Sequence, residues 1–218
     1  MLASLQRQLE RIYEIKIPHS VEDFLITDIR LLNDLQGNEK ADQSEIEEQL
    51  LVIQDGDSVD IALFVDNEIV NRLTQDDPRS RLHAGNLSDY CTAMEGVSHF
   101  LYLIWNAGHK RGVSLMELEM QAEIDKYVST AFLFGKQGSG RIPSNLYRWL
   151  FDKPVFNSSL DRTSLERYRD ANYYASKYCA RLENRYLKRT GQSGMFNDLR
   201  RLYRLTNHAK ISCAVAEH

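Results

Sequence analysis

Two titratable residues four positions apart, Glu95 and His99, sit in a segment that is otherwise nearly all apolar. Residues 87–108 have helical spacing, which brings positions four apart onto one face. At about 100° per residue, Ser88, Thr92, Glu95, His99, Tyr102 and Asn106 share one arc, and that arc holds no Lys or Arg. A solvent face normally carries long charged side chains. This stripe of short and titratable ones suits the wall of a cavity. A carboxylate beside an imidazole serves as a general base with its orienter, or as two ligands of a single divalent metal. The same pair also satisfies a structural hydrogen bond inside a bundle.

The next helical segment, residues 114–134, opens with Ser114 and Glu117 at capping-box spacing. Glu117 has two readings: the cap of that helix, or a third member of the Glu95–His99 set. No Glu-x-x-His pair lies within these helices, so a dinuclear carboxylate centre is not expected. The metal, if any, and any other cofactor are left open by the sequence. Cys91, Cys179 and Cys213 are odd in number and not at CxxC spacing, and read as reduced thiols.

The charge distribution points elsewhere. Residues 1–134 carry 11 Lys/Arg against 24 Asp/Glu; residues 135–218 carry 16 against 7. The net charge of −4 hides two opposed halves. Within the basic half, residues 163–189 and 196–214 read as helices whose outer faces gather Arg181 and Arg185 on the first and Arg201, Arg204 and His208 on the second. Guanidinium forks grip phosphate and tyrosines stack on bases, so this surface is expected to bind an anionic ligand or nucleic acid. The alternative is a solvated face that balances the acidic half, or a protein partner, including a second copy of the chain. Arg169 lies on the far flank of the apolar face of its helix. It has two readings: an exposed arginine, paired with Glu183 or unpaired, which is the favoured one, or an inward arginine that answers Glu95 or Glu117 and clamps a ligand anion or closes a buried ion pair. Tyr102 and Asn106 of the polar stripe are further candidate ligand contacts.

Arg201 and His208 are separated by six residues. This spacing resembles the Arg-x4-6-His element of the helical HEPN ribonucleases, over about eight residues. The resemblance implies RNA cleavage, and makes a hydrolase, HEPN-like or metal-dependent, the alternative to a binding protein. A non-catalytic adaptor is the third reading. Residues 135–141 hold three glycines but no Gly-Lys-Ser/Thr, so they form no phosphate-binding Walker loop.

The elements that position these residues follow from periodicity. Leu2, Leu5, Leu9 and Ile12 predict an opening amphipathic helix. Residues 13–17 alternate and predict a short strand. Ser20 and Asp23 predict a capped helix ending at Gly37, followed by an acidic stretch over 38–48 that reads as a loop or a short exposed helix. The runs 50–53 and 59–65 predict a hairpin, and 145–151 a short helix. The expected fold is α+β and mainly α: a single domain over 1–218, with an α/β part over 1–75 containing the hairpin 50–65, packed on a helical bundle over 87–214. The longest apolar run, Phe100 to Trp105, is far short of the about 20 residues of a membrane span, so a cytoplasmic protein is expected.

Overall fold

A computed structural model describes residues 1–37, 46–55, 58–152, 161–187 and 194–216. Among them are helices α1 (Leu2–Tyr13), α2 (Ile29–Gln36), α3 (Asn67–Gln75), α4 (Leu87–Gly108), α5 (Leu115–Gln137), α6 (Leu146–Phe151), α7 (Arg162–Leu182), α8 (Met195–Tyr203) and α9 (Asn207–Val215). The strands are β1 (Leu25–Ile26), β2 (Glu48–Asp55) and β3 (Ser58–Val65). The fold is α+β and mainly α, and no helix among the described residues is long and apolar enough to cross a membrane.

The sheet has the order β1-β3-β2. The hairpin pairs β2 antiparallel to β3 with Leu50 opposite Leu63, and β1 adds in parallel through Leu25 and Leu63. Alternation along β3 aims Leu63 and Val65 at the main core and Phe64 at a small second core with Leu32 of α2 and Leu51 of β2. The main core is one continuous apolar cluster from Leu2 of α1 to Ala214 of α9. At its centre lie α4 and α5. Both bury residues on most sides, because α1, the sheet, α7 and α9 surround them.

Several local expectations are corrected. No strand forms over 13–17: α1 ends at Glu14 in a left-handed conformation, and the chain runs on without sheet partners. The helix expected between Ser20 and Gly37 is split. A turn of 3-10 helix over Val21–Phe24 gives way to β1, whose pairing with β3 holds Leu25 and Ile26 extended. Only α2 follows, started by the Asp28 carboxylate, which accepts from Arg30 N, and stopped at Gly37 with φ of 67°. Of the acidic stretch, residues 38–45 lie outside the described residues, and its last residue, Glu48, is the first of β2, held extended by its pairing with Val65. An unexpected helix, α3, is capped by Asp66, which accepts from Glu68 N.

At the C-terminal end, α7 starts at Arg162, capped by Asp161, which accepts from Ser164 N, and passes into a turn of π-helix over Glu183–Leu187; residues 188 and 189 lie outside the described residues. The single helix expected over 196–214 is two, α8 and α9, broken at Arg204–Thr206. Arg201 therefore stands on one helix and His208 on the next, and no single helical face gathers Arg201, Arg204 and His208.

Candidate functional site

Antiparallel packing of α4 and α5 builds the site. His99 faces Glu119 while Glu95, one turn earlier, faces Lys126, one to two turns later. His99 Nε2 lies 3.5 Å from Glu119 Oε2, and Lys126 Nζ lies 2.8 Å from Glu95 Oε2 and 2.7 Å from Glu123 Oε1. The sheet closes the site from the other side. Glu48, the first residue of β2, places Oε1 3.4 Å from His99 Nδ1. Its approach requires Gly96: a Cβ there would meet Glu48 Cγ and Leu63 Cδ1 at 3.0 Å. From α7, Tyr168 comes near enough to feel the charges of Glu119, Glu95 and Glu48.

Four carboxyl groups thus crowd around one lysine and one histidine. The side chains of His99, Glu48 and Glu119 are 8, 9 and 10% exposed. Glu95 and Glu123 are 24 and 21% exposed and form the side open to solvent. Buried charges are normally paired or bound to a metal. Lys126 answers Glu95 and Glu123. His99 answers Glu48 through Nδ1, whereas its buried Nε2 makes no hydrogen bond to any described residue. One ligand atom each from Glu95, His99 and Glu119 falls within a mutual separation of 4.8 Å, wider than the about 3.4 Å between tetrahedral ligands with bonds of about 2.1 Å, so the side chains would draw together by roughly 1 Å around an ion.

The electrostatics follow from burial set against these partners. Burial opposes the charge on His99, but Glu48 and Glu119 outweigh it and raise its pKa well above the ordinary imidazole value. Burial pushes Glu48 up, only partly offset by His99. For Glu95, burial is overcome by Lys126 and His99, which hold it below the usual carboxylate range. The Cys91 thiol, one turn before Glu95, is pushed up to about 12 by burial and stays protonated at neutral pH.

The polar stripe of α4 is real, but it serves two places. Thr92 donates to Glu47, and Glu95 and His99 enter the cluster above. Tyr102 instead meets a second buried network, where its hydroxyl accepts from Lys210 Nζ at 2.8 Å. Lys210 also donates to Gln121 Oε1 at 2.9 Å. Asp125 accepts from the hydroxyls of Tyr13 and Ser98 and from Gln121 Nε2. Asn106 donates to the Tyr102 carbonyl within α4.

Glu117 does not join Glu95 and His99. It closes a capping box, accepting from Ser114 N at 3.0 Å while Ser114 Oγ accepts from Glu117 N. The carboxylate that α5 sends to His99 is Glu119. Arg169 is exposed, the favoured of its two readings, and the inward clamp does not form; its neighbour Tyr168 is the α7 residue that faces the cluster. Sequence reasoning missed Glu48, Glu119, Glu123 and Lys126. The spacing Glu119, Glu123, Lys126 repeats on one side of α5, and that was the available signal.

The basic residues of the last helices have specific partners. The Arg181 guanidinium donates to the carbonyls of Cys213 and Ala216 at 2.7 and 3.0 Å, closing the C-terminus of α9. Arg204 donates to the Tyr13 carbonyl at 2.9 Å, where α1 ends. Arg185 reaches Asp198 at 3.4 Å. Cationic side chains suit helix C-termini because the last carbonyls lack partners and carry partial negative charge. Arg201 and His208 are exposed. No protein-family model, curated protein or solved structure matches the chain, so the chemistry rests on the site itself.

Proposed function

We propose that this chain is a metal-dependent protein, with one divalent first-row ion held by Glu95, His99 and Glu119, and that the reaction class it serves is hydrolysis. The observation that carries this reading is the buried Nε2 of His99, which makes no hydrogen bond to any described residue and stands among carboxylate oxygens of Glu95 and Glu119, the nearer of them, Glu119 Oε2, at 3.5 Å. Without metal, Glu48 and Glu119 hold the ring protonated; a metal would displace the Nε2 proton and take that nitrogen, with the carboxylates as its counter-charge. Glu48 on Nδ1 is the partner that orients a ligating imidazole and strengthens it as a donor. Oxygen and nitrogen donors without thiolate favour Mn2+, Fe2+ or Zn2+ over softer ions. Three protein ligands leave a position for water, on the side where Glu95 is exposed. A bound ion there supplies an acidified water as nucleophile. Lys126 fixes Glu95 and Glu123 in place.

The test is metal content and affinity. The parent chain, dialysed against Mn2+ or Zn2+ and then metal-free buffer, is expected to retain about one ion per chain, as three-ligand centres do. His99→Gln and Glu119→Gln each lower affinity more than about 100-fold, and Glu48→Gln about 10-fold, since it acts through His99. Hydrolysis of p-nitrophenyl acetate or phosphate is expected to rise and fall with bound metal. A parent chain that holds no ion, or a His99→Gln variant that holds it as the parent does, ends the proposal. Retention of metal with no hydrolysis of any ester ends the catalytic part alone.

A further inference from the structure

A second place in the molecule is built for a ligand of opposite sign. A cavity of about 400 Å3 lies where α1, α5 and α8 meet the turn before α4. That volume is in the range of small-ligand sites. Its wall carries four cationic side chains: Arg11 of α1, Arg79 of the turn, Lys136 of α5 and Arg200 of α8. No carboxylate lines it, in a chain where Asp and Glu outnumber Lys and Arg by 31 to 27. Two of the four are answered by acids outside the wall, Arg79 by Asp77 at 2.6 Å and Arg200 by Glu14 at 2.8 Å. Arg11 and Lys136 have no ion pair among the described residues, which leaves two positive charges facing one space.

The same wall has a flat apolar portion. Phe132 and Phe196 stack with centroids 5.3 Å apart and planes 13° from parallel. Arg200 lies over the Phe196 ring at 5.5 Å. Two uncompensated cations beside stacked rings match a dianion joined to a planar body, because guanidinium and ammonium groups bind phosphate oxygens while the rings take apolar surface out of water.

We propose that this cavity binds a small phosphate monoester carried on a planar ring. The site shares no residue with the Glu95–His99–Glu119 cluster, so it stands or falls apart from the metal reading. It also differs from the outer basic faces of α7, α8 and α9, for it uses none of Arg181, Arg185, Arg201, Arg204 and His208 and its charges come from both halves of the chain.

Calorimetric titration of the full chain with phenyl phosphate, inorganic phosphate and phenol tests it. Phenyl phosphate is expected to bind at least about 10-fold tighter than inorganic phosphate, since taking the ring out of water against Phe132 and Phe196 is worth about that factor or more, and phenol not at all, since it lacks the charged hydrogen bonds of the phosphate. Raising the salt concentration weakens binding. The double variant Arg11→Glu/Lys136→Glu loses at least about 10-fold while retaining the parent's metal content and circular dichroism, because both side chains are exposed. Arg11→Gln/Lys136→Gln, which removes charge without reversing it, guards against misfolding of the first variant. Absence of binding at millimolar phenyl phosphate overturns the proposal. So does equal affinity for inorganic phosphate, or a neutralised variant that binds as the parent does.

Discussion

Two polar clusters are buried against the same pair of helices, and they are built on opposite terms. Around Asp125 the donors and acceptors are matched: its two oxygens accept from Tyr13, Ser98 and Gln121, and the Gln121 oxygen in turn accepts from Lys210. Around His99 they are not matched. Carboxyl groups exceed cations, and a buried ring nitrogen has a carboxylate oxygen at 3.5 Å but no hydrogen bond to any described residue. Folding alone explains the first cluster, since a satisfied network fixes α1, α4, α5 and α9 against one another. It does not explain the second, which leaves charge and hydrogen-bonding capacity unused at a cost in stability. Sites that hold a ligand are where such a cost is retained.

The largest expected effect separates the two directly. Asp125→Ala strands the Tyr13 and Ser98 hydroxyls and the Gln121 amide in the core, and removes a counter-charge of Lys210. A loss of about 3–5 kcal/mol is expected in urea unfolding. Glu119→Gln, in metal-free protein, breaks no good hydrogen bond and relieves a crowd of carboxyls. Its cost is expected to stay within about 1 kcal/mol, of either sign. Were Glu119→Gln to cost as much as Asp125→Ala, the His99 cluster would be a structural network after all.

How much of this difference was legible beforehand depends on the residue. The α4 stripe could be read from spacing, because nearly all other positions of that helix are apolar and the pattern is unbroken from Leu87 to Gly108. The hairpin was legible from the alternation along β3. Glu48 was not: it follows an acidic stretch that reads as solvated, and only the docking of β2 over Gly96 brings it to His99. Glu119 was not legible either, because a helical wheel assumes one buried face and places Glu119 off the apolar face of its helix. The helix α5 is enclosed by α4, α6 and α7, so Glu119 and Asp125 are both buried on it. Arg181 and Arg204 read as an anion surface on their own helices; their partners are the ends of α9 and α1, which local spacing does not reveal. Helix α3 and the break at Arg204–Thr206 carry no glycine or proline signal and were missed for that reason.

The pH dependence of stability sharpens the comparison further. Burial, aided by Arg111 and opposed by Glu117 and Asp125, pushes Lys210 down to about 7 from 10.5; Tyr102 and Tyr203 also face it, with their own pKa values raised by burial. In the window between those two values the unfolded chain binds a proton that the native state does not. Stability therefore rises with pH from about 7 toward about 10.5, at a slope approaching 1.4 kcal/mol per pH unit. Asp125 acts in the opposite sense. Burial outweighs its hydrogen bonds with Ser98, Tyr13 and Gln121 and pushes it up to about 6 from 3.8, so the native state holds the extra proton and stability falls as pH climbs through that lower window. The matched network thus contributes least between about 6 and 7. Lys210→Met removes the rise above 7 and is expected to be neutral or stabilising at pH 7. Urea midpoints across the window check this; an unchanged rise in Lys210→Met would assign it to another group.

The smallest effect tests the boundary between the clusters. Glu117 lies two residues before Glu119 on α5, yet its carboxylate bonds Ser114 and its charge is felt by Lys210 and Tyr102. Ser114→Ala removes one half of the capping box and is expected to cost about 1 kcal/mol. Glu117→Gln keeps an acceptor for the Ser114 amide and costs less. Neither is expected to change metal affinity more than about 2-fold, a difference of about 0.4 kcal/mol. A large loss of metal in Glu117→Gln with the cap intact would show that the two clusters share their charge through α5, and that the unmatched carboxyls at His99 are balanced from the Lys210 side rather than by an ion.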